Sequence, residues 1–110
     1  MKLLKMETNN LYVADIAYKK DIESIKETDN IISNIRGVYY KRKDMKNSKK
    51  NIGLIAQEVN KVLPEVIQDK NGIKHIDYGS MIALLVECIK KNNEDIKILK
   101  DEISLLKTVI

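Results

Sequence analysis

The sequence predicts an α+β fold: a small domain of short helices and a β-hairpin, followed by a long C-terminal helix. Three observations predict it. Asn71-Gly72 separates Val66-Ile67 from the run Ile73 to Ile76, and Asn-Gly is the preferred pair for a tight hairpin turn. Pro64 stops a helical pattern of Ala56, Val59, Val62 and Leu63, because proline has no N–H to continue the ladder. From Ile82 to the end, residues of core type recur in steps that alternate three and four.

The other elements follow in chain order. Residues 1–10 have no clear period and read as a lead-in, and Leu11 to Val13 reads as a short extended piece. Thr28 is placed to cap a short helix, with Asp29 in its first turn and Ile31, Ile32 and Ile35 on its apolar side. Gly37 then suits the residue just past that helix. Val38, Tyr39 and Tyr40 read as a strand that continues through Lys41 to Lys43. Residues 46–51 form a polar, lysine-rich loop, and Ile52 to Ile55 reads as extended. The long helix is expected from Gly79 or Ser80, spanning residues 79–110.

The terminal ladder is Ile82, Leu85, Ile89, Asn92, Ile96, Leu99, Ile103, Leu106 and Ile110. This is the a/d seam of a coiled coil, with Ile at a and Leu at d. A helix packed only on its own domain would show a wider apolar stripe. Asp95 and Glu102 fall at g, and Lys100 and Lys107 fall at the e positions five residues later, which suits parallel helices in register. Ile at a with Leu at d leans toward two strands, while the polar Asn92 at d weakens that rule.

Composition narrows the class. The 110 residues leave room for one small domain, with five Tyr and neither Trp nor Phe, so Ile, Leu and Val must fill the core. The net charge of +4 arises from 20 basic and 16 acidic residues interspersed, a mildly basic surface without the footprint of a dedicated nucleic-acid binder. Cys88, the single cysteine, excludes an intrachain disulfide and sits at g beside the seam, where it reads as a buried or semi-buried structural thiol, with an interchain bridge as the alternative. No apolar run reaches a membrane span and no signal peptide is visible. His75, the lone histidine, has no partners for a metal site or a triad, and no cofactor is expected.

A longer series of residues carries a resemblance. It comprises Gly37-Val-Tyr-Tyr40, then Ile52-Gly-Leu-Ile-Ala-Gln-Glu-Val59, then Leu63-Pro-Glu-Val66, the Asn-Gly hairpin, Ile76-Asp-Tyr78 and Ala83-Leu-Leu85. In order and spacing, from about Leu11 to the C-terminus, it resembles the C-terminal intramolecular chaperone domain of endosialidase-type phage tailspikes and neck appendages. The resemblance implies a domain at the end of a fibre pre-protein. Such a domain holds three chains together while a triple-stranded β-helix folds upstream, and then cuts itself off through a serine–lysine dyad, just before the serine. It implies a homotrimer, whose globular part contributes to assembly alongside the seam, so three strands are expected here against the lean toward two. The implied division is residues 1–13 as the end of the upstream stalk and 14–110 as the chaperone domain. The implied setting is the host cytoplasm during virion assembly and the virion tail or appendage before release.

The dyad is where this chain departs. The family pattern is Ser-Asp, three residues, then Lys, often followed by an acidic-amide-Ile run. The aligned segment is Ala14-Asp15-Ile16-Ala17-Tyr18-Lys19-Lys20-Asp21-Ile22, in which Asp15, Lys19 and Ile22 match. Ala14 stands in the place of the nucleophilic serine, and without a hydroxyl no acyl transfer can start there. By the resemblance Lys19 is the general base and Val13–Ala14 the scissile bond. A lysine acts as a base only when neutral, so such a site must lower its pKa from about 10.4 by desolvation or a nearby positive charge, for which Lys20 is a candidate. A five-residue spacing does not bring the two positions to one helix face, so the dyad needs a turn or a contact between chains. Ala14 is either natural to a non-cleaving member or a replacement that traps the uncleaved form; the retained residues 1–13 favour the second.

Two other functions compete. A non-cleaving trimerisation module would need neither Lys19 nor the segment Gly53 to Val59. A basic coiled-coil nucleic-acid binder would use Lys41, Arg42, Lys43, Lys46, Lys49 and Lys50 beside Tyr39 and Tyr40, and would show a steep salt dependence. A solvated loop, or a projection that grips unfolded pre-protein chains, accounts for the same residues. The expected partners are therefore two further copies and the upstream stalk of the same chain, with no membrane and no nucleic acid.

Overall fold

The computed structural model describes residues 11–109. A 3-10 turn at Ile16–Tyr18 is followed by α1 (Thr28–Ser33), β1 (Val38–Tyr40), β2 (Asn51–Gly53) and α2 (Ala56–Val62). A 3-10 turn at Pro64–Val66, β3 (Ile67–Lys70), β4 (Ile73–Ile76) and α3 (Tyr78–Val109) complete the chain. The α+β expectation holds, with short helices in front of one long terminal helix. At 1.5 Å per residue α3 is about 48 Å long. Its projection stretches the molecule to 63 × 42 × 24 Å and raises the radius of gyration to 19.3 Å, against about 13 Å for a compact domain of this length.

There are two hairpins among the described residues, one more than expected. β3 and β4 pair antiparallel, Ile67 opposite Ile76 and Lys70 opposite Ile73. Asn71 (φ 54°) and Gly72 (φ 78°) form the turn, the left-handed pair that a two-residue hairpin loop requires. The Gly72 N–H donates to Asp69 Oδ1 at 2.9 Å, and Lys74 Nζ reaches Asp69 Oδ2 at 3.2 Å. The second hairpin pairs β1 with β2, with Val38 opposite Gly53 and Tyr40 opposite Asn51. Its ten-residue connection, 41–50, is too long and too polar to carry a recognisable hairpin signal.

Local boundaries differ where a tertiary contact overrides propensity. Thr28 does not cap α1. It is the first helical residue and is buried, and Glu27 takes the cap position in a left-handed conformation (φ 56°). With its side chain buried in the domain, Thr28 lies inside the helix and the cap falls one residue earlier. Gly37 is not the residue just past the helix either, because α1 ends at Ser33 with Asn34 as its cap. β1 stops at Tyr40 rather than running through Lys43, and β2 ends at Gly53 rather than Ile55. Val66 belongs to the 3-10 turn that Pro64 opens, so β3 starts at Ile67. Leu11 to Val13 lies in no strand.

The core is small. Ile31, Val59, Val66, Met81 and Leu84 are buried, and Ile25, Ile35, Leu54, Val62, Leu63, Ile67, Ile76 and Cys88 pack around them. The buried side chains come from four elements: Ile31 from α1, Val59 from α2, Val66 from the Pro64 turn, and Met81 and Leu84 from α3. Cys88, expected as a buried or semi-buried thiol, is half-buried at the edge of this core.

α3 begins at Tyr78, a residue earlier than expected, and its start is anchored. The Asp77 carboxylate accepts from the Ser80 N–H at 3.3 Å and the Ser80 hydroxyl at 2.8 Å, satisfying one of the unpaired N–H groups at the helix end. The Asp77 N–H donates to the Val66 carbonyl at 2.8 Å. Asp77→Ala is expected to cost about 1 kcal/mol, within the usual range for loss of a capping side chain. Urea denaturation of the two proteins measures it, and an unchanged midpoint would show that the cap contributes nothing.

Candidate functional site

The segment aligned with the dyad forms a turn. The Tyr18 N–H donates to the Asp15 carbonyl and the Lys19 N–H to the Ile16 carbonyl, both at 3.0 Å. Asp15 Oδ1 accepts from the Ala17 N–H at 2.9 Å. The Asp15 side chain therefore acts locally, capping the 3-10 turn that lies between Ala14 and Lys19. Ala14 and Lys19 are both exposed, as is every residue from 11 to 20. Among the described residues, no salt bridge joins Lys19 to a carboxylate. Upstream, the Tyr12 ring leans on the first turn of α3: a Cβ built on Gly79 would lie 3.5 Å from Tyr12 Cε2. Tyr12, one residue before the Val13–Ala14 bond, thus sits beside the start of the long helix.

The a/d seam of α3 is uncovered. Ile82, Leu85, Ile89, Ile96, Leu99, Ile103 and Leu106 are 47–63% exposed, Asn92 is exposed among them, and Ile110 lies outside the described residues. The helix meets its own domain through a different face. Met81 and Leu84, at heptad positions g and c, enter the core, and Lys91 at c approaches Asp29 of α1 at 4.0 Å. Within α3, Lys91 Nζ also pairs with Asp95 Oδ1 at 2.7 Å, and these acidic neighbours, Asp95 first, hold the Lys91 pKa above its usual value. One helix therefore carries two apolar faces, one packed on the domain and one that the described residues leave exposed.

Where the two faces meet lies an apolar groove of about 470 Å³, lined by Ile32, Ile35, Ile52, Met81, Ile82 and Leu85, with Gly53 and Tyr78 at its wall. Gly53 is required there. A Cβ on it would stand 2.9 Å from Tyr78 Oη and 3.2 Å from Tyr40 Cε1. The Tyr78 hydroxyl accepts from the Leu54 N–H at 3.1 Å, so the β2 hairpin is tied to the first residue of α3. A glycine inside a strand often marks a close approach of this kind, and it is the only local signal for a contact that the sequence does not otherwise disclose.

The basic loop 41–50 is folded on itself. Arg42 Nε donates to Asp44 Oδ1 at 2.9 Å, and its backbone N–H donates to Ser48 Oγ at 3.0 Å. The Arg42 guanidinium beside Asp44 lowers that carboxyl's pKa. Lys50 lies 5.1 Å over the Tyr39 ring. His75 is exposed on β4, its Nδ1 at 3.0 Å from the Ile73 carbonyl. No group of three His, Cys, Asp or Glu side chains is placed to hold a metal among the described residues, and no helix there is long and apolar enough to cross a membrane.

The profile of a family described as the chaperone of endosialidase matches residues 14–68, half of the chain. The chain belongs to this family. The endosialidase-chaperone family is one of self-cleaving peptidases. The motif residues that carry the likeness are mostly fold residues here: Gly53 admits Tyr78, Asp77 caps α3, Val59 is buried, and Asn71-Gly72 turns the hairpin. The chain is also 30% identical over 107 residues to the long tail fiber protein Gp37 of Salmonella phage S16, a match covering 88% of this chain. It is 33% identical over 93 residues to Gp37 of Escherichia phage AR1, a match covering 76% of this chain. The chain spans only 14% and 8% of the length of these two relatives.

Proposed function

We propose that this chaperone-family domain closes the C-terminal end of a phage fibre or spike protein, gathers three copies through α3, and assists folding of the β-structured stalk upstream. The observation that carries the reading is the family match, which begins at residue 14, together with an a/d seam that the other described residues leave uncovered. Fibre proteins among the relatives support a fibre as cargo.

Release would occur at the Val13–Ala14 bond in a member with serine at position 14. The serine oxygen adds to the Val13 carbonyl and forms an ester, while the C–N bond to residue 14 breaks. Lys19 takes the hydroxyl proton and passes it to the departing nitrogen, and water then hydrolyses the ester. The 3-10 turn capped by Asp15 lies between the two positions, which supports this reading. Lys19 is exposed in the single chain, so the desolvation that keeps a lysine neutral comes from a neighbouring copy or from the stalk. Ala14 lacks the attacking oxygen, and this chain therefore assembles its cargo without cutting. The same observation favours a second reading, a purely assembling module in which Lys19 has no chemical role.

The experiment is Ala14→Ser in a protein carrying a β-helical stalk upstream, read by intact-protein mass spectrometry. The expected result is a product beginning at residue 14 that Lys19→Ala abolishes. An uncut chain at every concentration would favour the purely assembling module.

A further inference from the structure

The apolar groove beside α3 has an occupant specified by the heptad. In parallel helices a residue at g faces the residue at e five positions later on the neighbouring helix. Along α3 the g residues are Met81, Cys88, Asp95 and Glu102, and their e counterparts are Val86, Asn93, Lys100 and Lys107. The pairs grade along the helix. Asp95 with Lys100 and Glu102 with Lys107 are opposite charges, whereas Met81 with Val86 is apolar. Met81 is a wall of the groove. Val86 lies on the other flank of the helix, 49% exposed, and its own chain does not use it in the core. The charge pairs set the register, and that register brings Val86 of one copy to the groove of the next.

We propose that this groove is an intersubunit socket, formed by Ile32 and Ile35 of the α1 segment with Met81, Ile82 and Leu85 of α3, that receives Val86 of a second copy. The inference rests on the parallel assembly proposed above and extends it from the coil into the globular domain. It gives the α1 segment and the β2 hairpin a part in association, because they build the far wall. It also accounts for an apolar residue at e in the heptad that lies beside the domain, where the later heptads carry asparagine and then lysine.

The test is disulfide trapping in the whole chain with Cys88→Ser as background. Ile35→Cys and Val86→Cys are combined, oxidised, and run on a gel without reductant, with sedimentation in parallel. The expected result is covalent species of more than one chain, absent from either single-cysteine variant. Associated chains that give no covalent species, or only an internal bridge within one chain, would overturn the socket while leaving the coil intact. Chains that do not associate at all would sink the assembly itself. Val86→Asp is the second measurement. Val86 is exposed in the single chain, so its replacement leaves the helical circular dichroism signal of the fold in place. A carboxylate forced into an apolar socket is expected to weaken association at least about tenfold. Unchanged association would refute the proposal.

Discussion

Leu84→Ala is expected to remove about 2–5 kcal/mol of stability, the usual range for truncating a fully buried leucine. Leu84 has no exposed surface, and it packs where α1, α2 and the Pro64 turn converge on α3. With five buried hydrophobic residues in the core among the described residues, the neighbours have few ways to close the cavity. A typical domain has about 5–15 kcal/mol in all, so the variant should lose a large share of its folded population near physiological temperature. The adjacent residue provides the control. Leu85 is 47% exposed on the seam, and Leu85→Ala should leave the folded single chain intact while weakening association. Urea denaturation over a range of protein concentrations separates the two. A Leu84→Ala protein as stable as the parent would mean that α3 does not pack as described.

Gly53→Ala is the second large effect, expected at about 1–3 kcal/mol, the range for forcing extra volume into a packed site. The added carbon would stand 2.9 Å from Tyr78 Oη and 3.2 Å from the Tyr40 ring. The tyrosine tip is not free to move aside, because it holds the Leu54 N–H. Relief therefore means giving up that hydrogen bond, worth about 0.5–1.5 kcal/mol. The cause can be isolated. In a Tyr78→Phe background the colliding oxygen is gone, so Gly53→Ala should cost clearly less there than in the parent. Equal costs in the two backgrounds, measured by thermal unfolding, would show that the contact with Tyr78 is not what requires the glycine.

What the sequence reveals and what it hides follow a physical division. Features written in a single local signal are legible: the Asn71-Gly72 turn, the stop at Pro64, and the three-four ladder of α3. Features decided by contacts between distant segments are not. Tyr39 and Tyr40 look like an isolated strand until Ile52 and Asn51 are placed opposite them across the 41–50 loop. Thr28 looks like a cap until the core draws its side chain inward. The ladder shows which residues lack a partner, while Met81 and Leu84, one step off the seam, give no sign that they serve the domain instead. The candidate dyad is legible only through resemblance. The local structure adds a role for Asp15 as the cap of the intervening turn, which spacing alone does not disclose.

The anchoring of α3 at one end divides the helix into two cooperative units. From Tyr78 to Lys91 its turns are locked by Asp77, by the Tyr78 hydroxyl and by the core, and share the opening free energy of the whole domain. From Asn92 onward no other described element of the chain covers the seam, and a free helix of that length is marginal in water. In the proposed assembly the distal half would report its neighbours: its amides should exchange as a fraying helix in a lone copy and as buried structure once copies associate. The polar Asn92 stands at the boundary between the segment anchored to its own domain and the one that, in the proposed assembly, would fold with other copies.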